Sequence, residues 1–240
     1  MLSRDVCGCM AESVISAQGA FHIARSEVRQ FLGYAGQEVP SDLTAHIESV
    51  VASCEQSLRP SYIYATYPID DLPVQLSGSD IQSHLEGAVG CVFMSCTLGM
   101  ACDVAIRRHS VKSALDALIY DTAASAFIES VANAAEASAV HKATDNGLMI
   151  NGRFSPGYGN LSLDTQQQIL ECLNATRRLG LTVTNEGMLI PTKSITACLG
   201  VFDNPDAPGM HTALYPERFC TTCVCRDYCT LRKAHKLCCR

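Results

Sequence analysis

Seven consecutive residues in the second half of the chain, Arg153-Phe154-Ser155-Pro156-Gly157-Tyr158-Gly159, combine groups suited to holding a small zwitterion. Arginine presents a planar, permanently charged fork that matches a carboxylate. Pro156-Gly157 sets a tight turn and lets the backbone come close to a bound molecule. The Tyr158 ring can cover a flat or apolar group while its hydroxyl holds a polar atom. An amino-acid carboxylate, an adenine and a sulfonium all suit these groups. Other zwitterions suit them as well, and the same residues also make a plain structural turn. A second chemical centre lies in the last twenty-one residues, which hold Cys220-x2-Cys223-x-Cys225-x3-Cys229 and then Cys238-Cys239. Thiolates spaced by two or three residues can converge on one metal, as in zinc sites and iron–sulfur clusters. Cys220, Cys223 and Cys229 are the expected ligands, with Cys225, Cys238 or Cys239 as the fourth. His211 and His235 read as solvated.

Several elements must position the loop. Periodicity predicts a helix from about Glu12 to Leu32 that Gly33 closes, and another over 41–58 with Leu43, Ile47, Val50, Val51 and Cys54 on one side. Tyr62-Ile63-Tyr64-Ala65-Thr66-Tyr67 reads as a strand, Val74 to Leu76 as a shorter one. Ser79 is placed to cap a helix through Leu85. Ala88 to Ile106 is a long apolar stretch, but Gly90, Ser95, Thr97, Gly99 and Asp103 interrupt it too often for a bilayer-spanning helix of ~20 apolar residues. It reads instead as a buried strand over Cys91-Val92-Phe93-Met94 running into a helix. The longest helix is expected from Ser113 to about His141, with Leu115, Leu118, Ile119, Thr122, Ala123, Ala126 and Phe127 as its apolar stripe. Glu129 falls on that face, seven residues after Thr122. It is either a surface glutamate at the stripe's edge or a carboxylate that must find a cation or donors. After the Asn151–Asn160 loop, Asp164 and Gln167 form a capping-box pattern for a helix that Gly180 ends. Leu181-Thr182-Val183-Thr184, Met188-Leu189-Ile190 and Ser194 to Phe202 read as strands. Pro191 is a turn-maker between the last two, and Lys193 reads as a solvated charge.

Composition narrows the function. A net charge of −6 argues against a nucleic-acid binder, which needs a basic surface to neutralise phosphates. Met1-Leu2-Ser3-Arg4-Asp5 opens no basic-then-apolar signal, so the expectation is a cytoplasmic protein free of the membrane. In that setting the fourteen cysteines favour metal over disulfides. Those outside the tail fall largely in apolar runs, where a thiol behaves as a small hydrophobe.

Three stretches occur in order: the Arg153–Tyr158 loop, the capped helix after it, and Met188-Leu189-Ile190-Pro191-Thr192-Lys193-Ser194. From about Ala88 to Asp203 the chain resembles the activation domain of vitamin B12-dependent methionine synthase. That family's Arg-Pro-Ala-Pro-Gly-Tyr loop binds S-adenosylmethionine (SAM). The resemblance implies Arg153, Ser155, Gly157 and Tyr158 as the SAM loop, with Ser155 in place of the family's alanine. It also implies Glu129 as the glutamate near the SAM amino group. The family's acidic SAM contact near the domain start has no counterpart here. The implied fold is α+β, a twisted mostly antiparallel sheet with long helices, as one domain over residues 1–210 followed by a Cys-rich metal-binding tail over 211–240.

The implied function is reductive methylation (reactivation) of cob(II)alamin on a cobalamin-dependent methionine synthase or related corrinoid methyltransferase. No Asp-x-His-x-x-Gly cobalamin motif is present, so cobalamin is expected on a partner protein. An electron donor is a further expected partner. The tail is expected to carry an iron–sulfur cluster rather than zinc, because reactivation needs an electron; similar anaerobe proteins end in such a segment. The alternative is a non-catalytic iron–sulfur or zinc-binding redox adaptor with a vestigial SAM loop. An independent SAM methyltransferase is disfavoured, because no glycine-rich loop follows a first strand.

Overall fold

The computed structural model describes residues 15–16, 21–34 and 38–212. Its centre is a five-stranded, wholly antiparallel sheet in the order β1-β2-β3-β7-β4. The strands are β1 (Ile15–Ser16), β2 (Ser61–Pro68), β3 (Gly90–Thr97), β4 (Met149–Ile150) and β7 (Ser194–Phe202). β3 is buried along its whole length, which explains why apolar residues occupy both of its faces over Cys91–Met94. No helix among the described residues is long and apolar enough to cross a membrane. The expected α+β architecture, an antiparallel sheet with long helices, is the one observed.

Alternation along the central strands divides the core between the two sheet faces. Tyr62, Tyr64, Val92, Met94, Cys96, Ala197 and Leu199 point to one face. There they meet α1 (Arg25–Phe31), α2 (Ser41–Ser57), α4 (Met100–Lys112) and above all α5 (Ala114–Asp145). Alanines 123, 124, 126, 132 and 135 of α5 are fully buried, so this 32-residue helix lies close against the strands. Ile63, Ala65, Cys91, Phe93 and Cys198 point to the opposite face. It is covered by α6 (Thr165–Cys172) and α7 (Ala175–Leu179), with α3 (Ser79–His84) and a small hairpin of β5 (Thr182–Val183) and β6 (Leu189–Ile190) at its margins. A short α8 (Pro208–Thr212) closes the described chain.

Several local expectations are corrected. Ile15–Ser16 is not helical but pairs with Tyr62 and Ser61, satisfying the open edge of β2. The first helix starts only at Arg25, because Glu55 of α2 takes both the Ile23 N–H and the Arg25 guanidinium and holds the preceding segment extended. Val74 is buried but in no strand; the neighbouring Gln75 N–H donates to the Gln168 side chain instead of a ladder. Ser79 opens α3 without capping it, the N-cap position being Gly78. Leu115 and Leu118 stay exposed, and the buried stripe of α5 begins at Ile119. Asp164 makes no capping box, since Ser162 engages its carboxylate and its N–H. The helix expected to run to Gly180 breaks at Asn174, which adopts a left-handed conformation.

Candidate functional site

Asn151 fixes where the Arg153–Tyr158 loop leaves the sheet. Its amide donates to the carbonyls of His84 and Gly209, and its oxygen accepts from the Gly200 N–H, so this buried side chain is satisfied on both sides. Phe154 then forms a two-way backbone bridge with Cys198 and turns its ring into the α6 face. Neighbouring residues of an extended chain point oppositely, so Arg153 is aimed at α5. Ser155-Pro156-Gly157-Tyr158 closes as a tight turn, the Tyr158 N–H donating to the Ser155 carbonyl. Gly157 sits at φ +90°, and a Cβ there would meet Leu163 at 2.9 Å, so the turn requires glycine.

The Arg153 side chain is only 4% exposed, and α5 supplies its counter-charges. One terminal nitrogen lies 2.8 Å from Asn133 Oδ1 and 3.3 Å from Glu129 Oε2. Nε lies 3.0 Å from Glu136 Oε2, within ion-pair range but without hydrogen-bond alignment. Residues 129, 133 and 136 recur at helical spacing and present one polar edge to the guanidinium. Glu129 is thus both things the sequence allowed: it is at the stripe's edge, 43% exposed, and paired to a cation.

Between this edge, the loop and the β6–β7 connection lies an open cleft of about 290 Å³, close to the lower end of the ~300–1,000 Å³ range of small-ligand pockets. Four of the five expected loop and helix residues line it together: Glu129, Arg153, Ser155 and Tyr158. Gly157 does not line it but shapes the turn that carries Ser155 and Tyr158. Phe154 and Tyr158 meet edge to face at 6.3 Å, leaving the Tyr158 ring 41% exposed at the mouth.

Gln166 and Thr196, given no role from the sequence, complete the cleft together with the Met188–Ser194 stretch. Gln166 of α6 is buried, donates to the Gly187 carbonyl and receives the Thr196 hydroxyl. Thr192 and Ser194 line the opposite wall and are held from outside the cleft. Asp103 of α4 accepts from both the backbone N–H and the hydroxyl of Thr192, while Ser194 donates to Thr97. Lys193, expected to be solvated, is 16% exposed and bound to Asp121 and Ser125 of α5 at 2.9 and 2.8 Å. The Ile190–Pro191 bond that opens this turn is cis. The polar groups of this turn could be suspected from Met188–Ser194, but their partners lie about 68 to 97 residues upstream and leave no local signal.

The cysteines divide as expected only in part. Cys54, Cys91, Cys96, Cys102 and Cys198 are buried and unpaired by disulfides. Burial pushes the Cys54 and Cys102 thiols up to about 12, so they stay protonated and act as hydrophobes. Among the described residues, no cluster of three or more His, Cys, Asp or Glu side chains could hold a metal. The expected ligands Cys220, Cys223, Cys225 and Cys229, with Cys238 and Cys239, lie outside the described residues.

No protein-family model matches the chain, and no curated protein matches it in sequence. Among solved structures, the fold matches a crystal structure of the MetH reactivation domain bound to AdoHcy, with a TM-score of 0.59 and 13% identity. The match covers 81% of this chain and 79% of that one. At this identity the likeness is one of fold.

Proposed function

We propose that the protein binds SAM in the cleft and supports reductive methylation of a corrinoid carried by a partner, a methionine synthase or related methyltransferase. The observation that carries this reading is the convergence of Glu129, Arg153, Ser155 and Tyr158 on one cleft, within the fold of a domain crystallised with AdoHcy. The groups suit the ligand: a carboxylate wall for an ammonium and a sulfonium, a guanidinium for a carboxylate, and a phenol ring for an apolar or flat surface. SAM supplies a methyl group, and the corrinoid is the acceptor. The chain's own residues orient the donor and exclude water around it. Tyr158 and Met188 at the mouth, with Ile190 beside it, leave apolar surface exposed, which supports capping by a partner.

Calorimetric titration with SAM tests the reading. Binding that Arg153→Ala weakens by about a hundredfold is expected; no binding, or binding indifferent to that substitution, removes it. The Cys220–Cys229 segment is proposed to hold an iron–sulfur cluster that passes the electron, on its spacing alone. Visible absorbance of anaerobically purified protein checks this, and a colourless zinc-loaded sample would refute it.

A further inference from the structure

α4 has two unlike sides. Inward, Cys102 and Asp103 are buried, Ala105 and Ile106 lean on the core, and the His109 ring stacks on Tyr120 of α5 at 4.8 Å. At about 100° per residue, Met100, Val104 and Val111 fall in one narrow stripe on the opposite side. All three are exposed, Val111 by 88%. Arg107 and Arg108 flank the stripe on either side, with Lys112 beyond Arg108. These three cations are exposed, and among the described residues none of them pairs with a carboxylate. Leu115 and Leu118, at the start of α5, add two more exposed apolar side chains soon after them in the chain. An apolar stripe walled by unpaired cations is not the ordinary solvated side of a helix.

Charge decides what suits this surface. A second copy placed face to face would bring like charges together. Residues 213–240 carry six Lys and Arg against two Asp and Glu, so they do not complement it either. A helix that works at a membrane surface sinks ~5–10 Å into it on bulky Trp, Phe or Leu side chains. α4 is anchored in the fold by its inner side and offers Met and Val, a weaker fit. We infer that the outer side of α4 is a docking surface for an acidic, apolar-centred face of the corrinoid-carrying partner. This rests on the proposed function and adds where, and by what chemistry, that partner is held. α4 starts at the cleft: Asp103, in its first turn, accepts from Thr192 of the cleft wall, and the Leu98 N–H just before the helix donates to the Lys193 carbonyl. From there the stripe extends ~16 Å to Val111. A body seated on it stands beside the cleft. The whole chain carries a net charge of −6, so an acidic partner is turned toward this basic face as it approaches.

The test is biolayer interferometry of the full chain, with SAM present, against a cobalamin-loaded methionine synthase that lacks an activation domain of its own. Wild-type affinity should fall about tenfold between roughly 0.05 and 0.3 M salt, as charge pairs are screened. At low salt the Arg107→Glu/Arg108→Glu double variant should bind the synthase roughly a hundredfold more weakly, chiefly through slower association. Val111→Asp should cost about tenfold, and both variants should keep wild-type SAM affinity by calorimetry. Synthase binding that ignores salt overturns the inference, with no variant needed. Binding unchanged in the double variant, with SAM still bound, overturns this inference alone. So does wild-type binding to phosphatidylcholine–phosphatidylglycerol vesicles, or self-association, that the double substitution abolishes, because the surface then serves a membrane or a second copy. If SAM binds and the synthase does not, this inference and the proposed partner fall together. If SAM does not bind, the proposed function falls, and the inference with it.

Discussion

Phe93 and Ser95 are two residues apart on the same face of β3, yet their surroundings are opposite. Phe93 stands across from Cys198, meets Tyr67 at 5.9 Å and is sealed in the cluster formed with Ile169 and Leu170 of α6. Ser95 stands across from Thr196, and one pair further on Thr97 faces Ser194; both β7 residues line the cleft. A single sheet face is therefore a closed core at one end and the hydroxyl-bearing wall of an open cleft at the other. The change happens where α6 stops supplying leucine and isoleucine and presents Gln166 instead. The cleft is built by withholding apolar cover from part of an otherwise ordinary sheet.

The sharpest way to break that contrast is to empty the closed end. Phe93→Ala removes a fully buried ring and should cost about 3–5 kcal/mol of stability, measured by urea unfolding. Ligand affinity of the remaining folded protein should change little. A comparable loss of affinity would mean that the two ends are mechanically one unit.

The closed end also contains a titratable group. His84 is buried against Phe154, ring centroids 5.1 Å apart, and burial pushes its imidazole down to about 4 despite a hydrogen bond with the Gly152 backbone. Unfolded, it takes up a proton near 6.5; folded, it resists until about 4. Stability is therefore complete above about 6.5 and is lost as pH falls toward 4, by roughly 2–3 kcal/mol. Urea midpoints across that window should show a slope in wild type that His84→Gln reduces. An unchanged slope would place the histidine's protonation elsewhere in the folding equilibrium.

At the open end the guanidinium's shape matters more than its charge. Arg153→Lys keeps a cation for Glu129 and Glu136 to pair with but loses the fork. SAM affinity should fall about tenfold, ~1.4 kcal/mol, with a smaller change in unfolding free energy. The reverse ranking would make Arg153 a structural ion pair and the cleft incidental.

Much of this contrast could be read from the chain, and what escaped did so for identifiable reasons. The 41–57 helix, β3 running into α4, and β7 were legible because each is a continuous apolar or periodic run whose own residues decide its state. So was the clustering of Arg153, Ser155 and Tyr158, because they sit in one turn. β1 was not: two residues pairing with a distant edge carry no periodicity, and the helical pattern nearby overran them. Nor were Asn133, Glu136 and Asp121, whose partners on Arg153 and Lys193 are brought near only by α5 crossing the sheet. Asp164 had the right neighbours for a cap and was claimed by a nearer hydroxyl, Ser162.

The smallest expected effect is the most discriminating, because it falls at the junction of the two ends. The Ser95 hydroxyl is fully buried with no hydrogen-bond partner among the described residues, although Thr196 beside it lines the cleft. If the apolar environment extends that far, the hydroxyl is a desolvated group without compensation, and removing it should help. Ser95→Ala should then leave stability unchanged or raise it by up to about 1 kcal/mol, without affecting SAM affinity. A loss of about 1 kcal/mol would instead mean that water from the cleft reaches Ser95 and satisfies it. The wetted wall of the cleft would then include Ser95 of the sheet's central strand as well as Thr196 and Ser194 of β7.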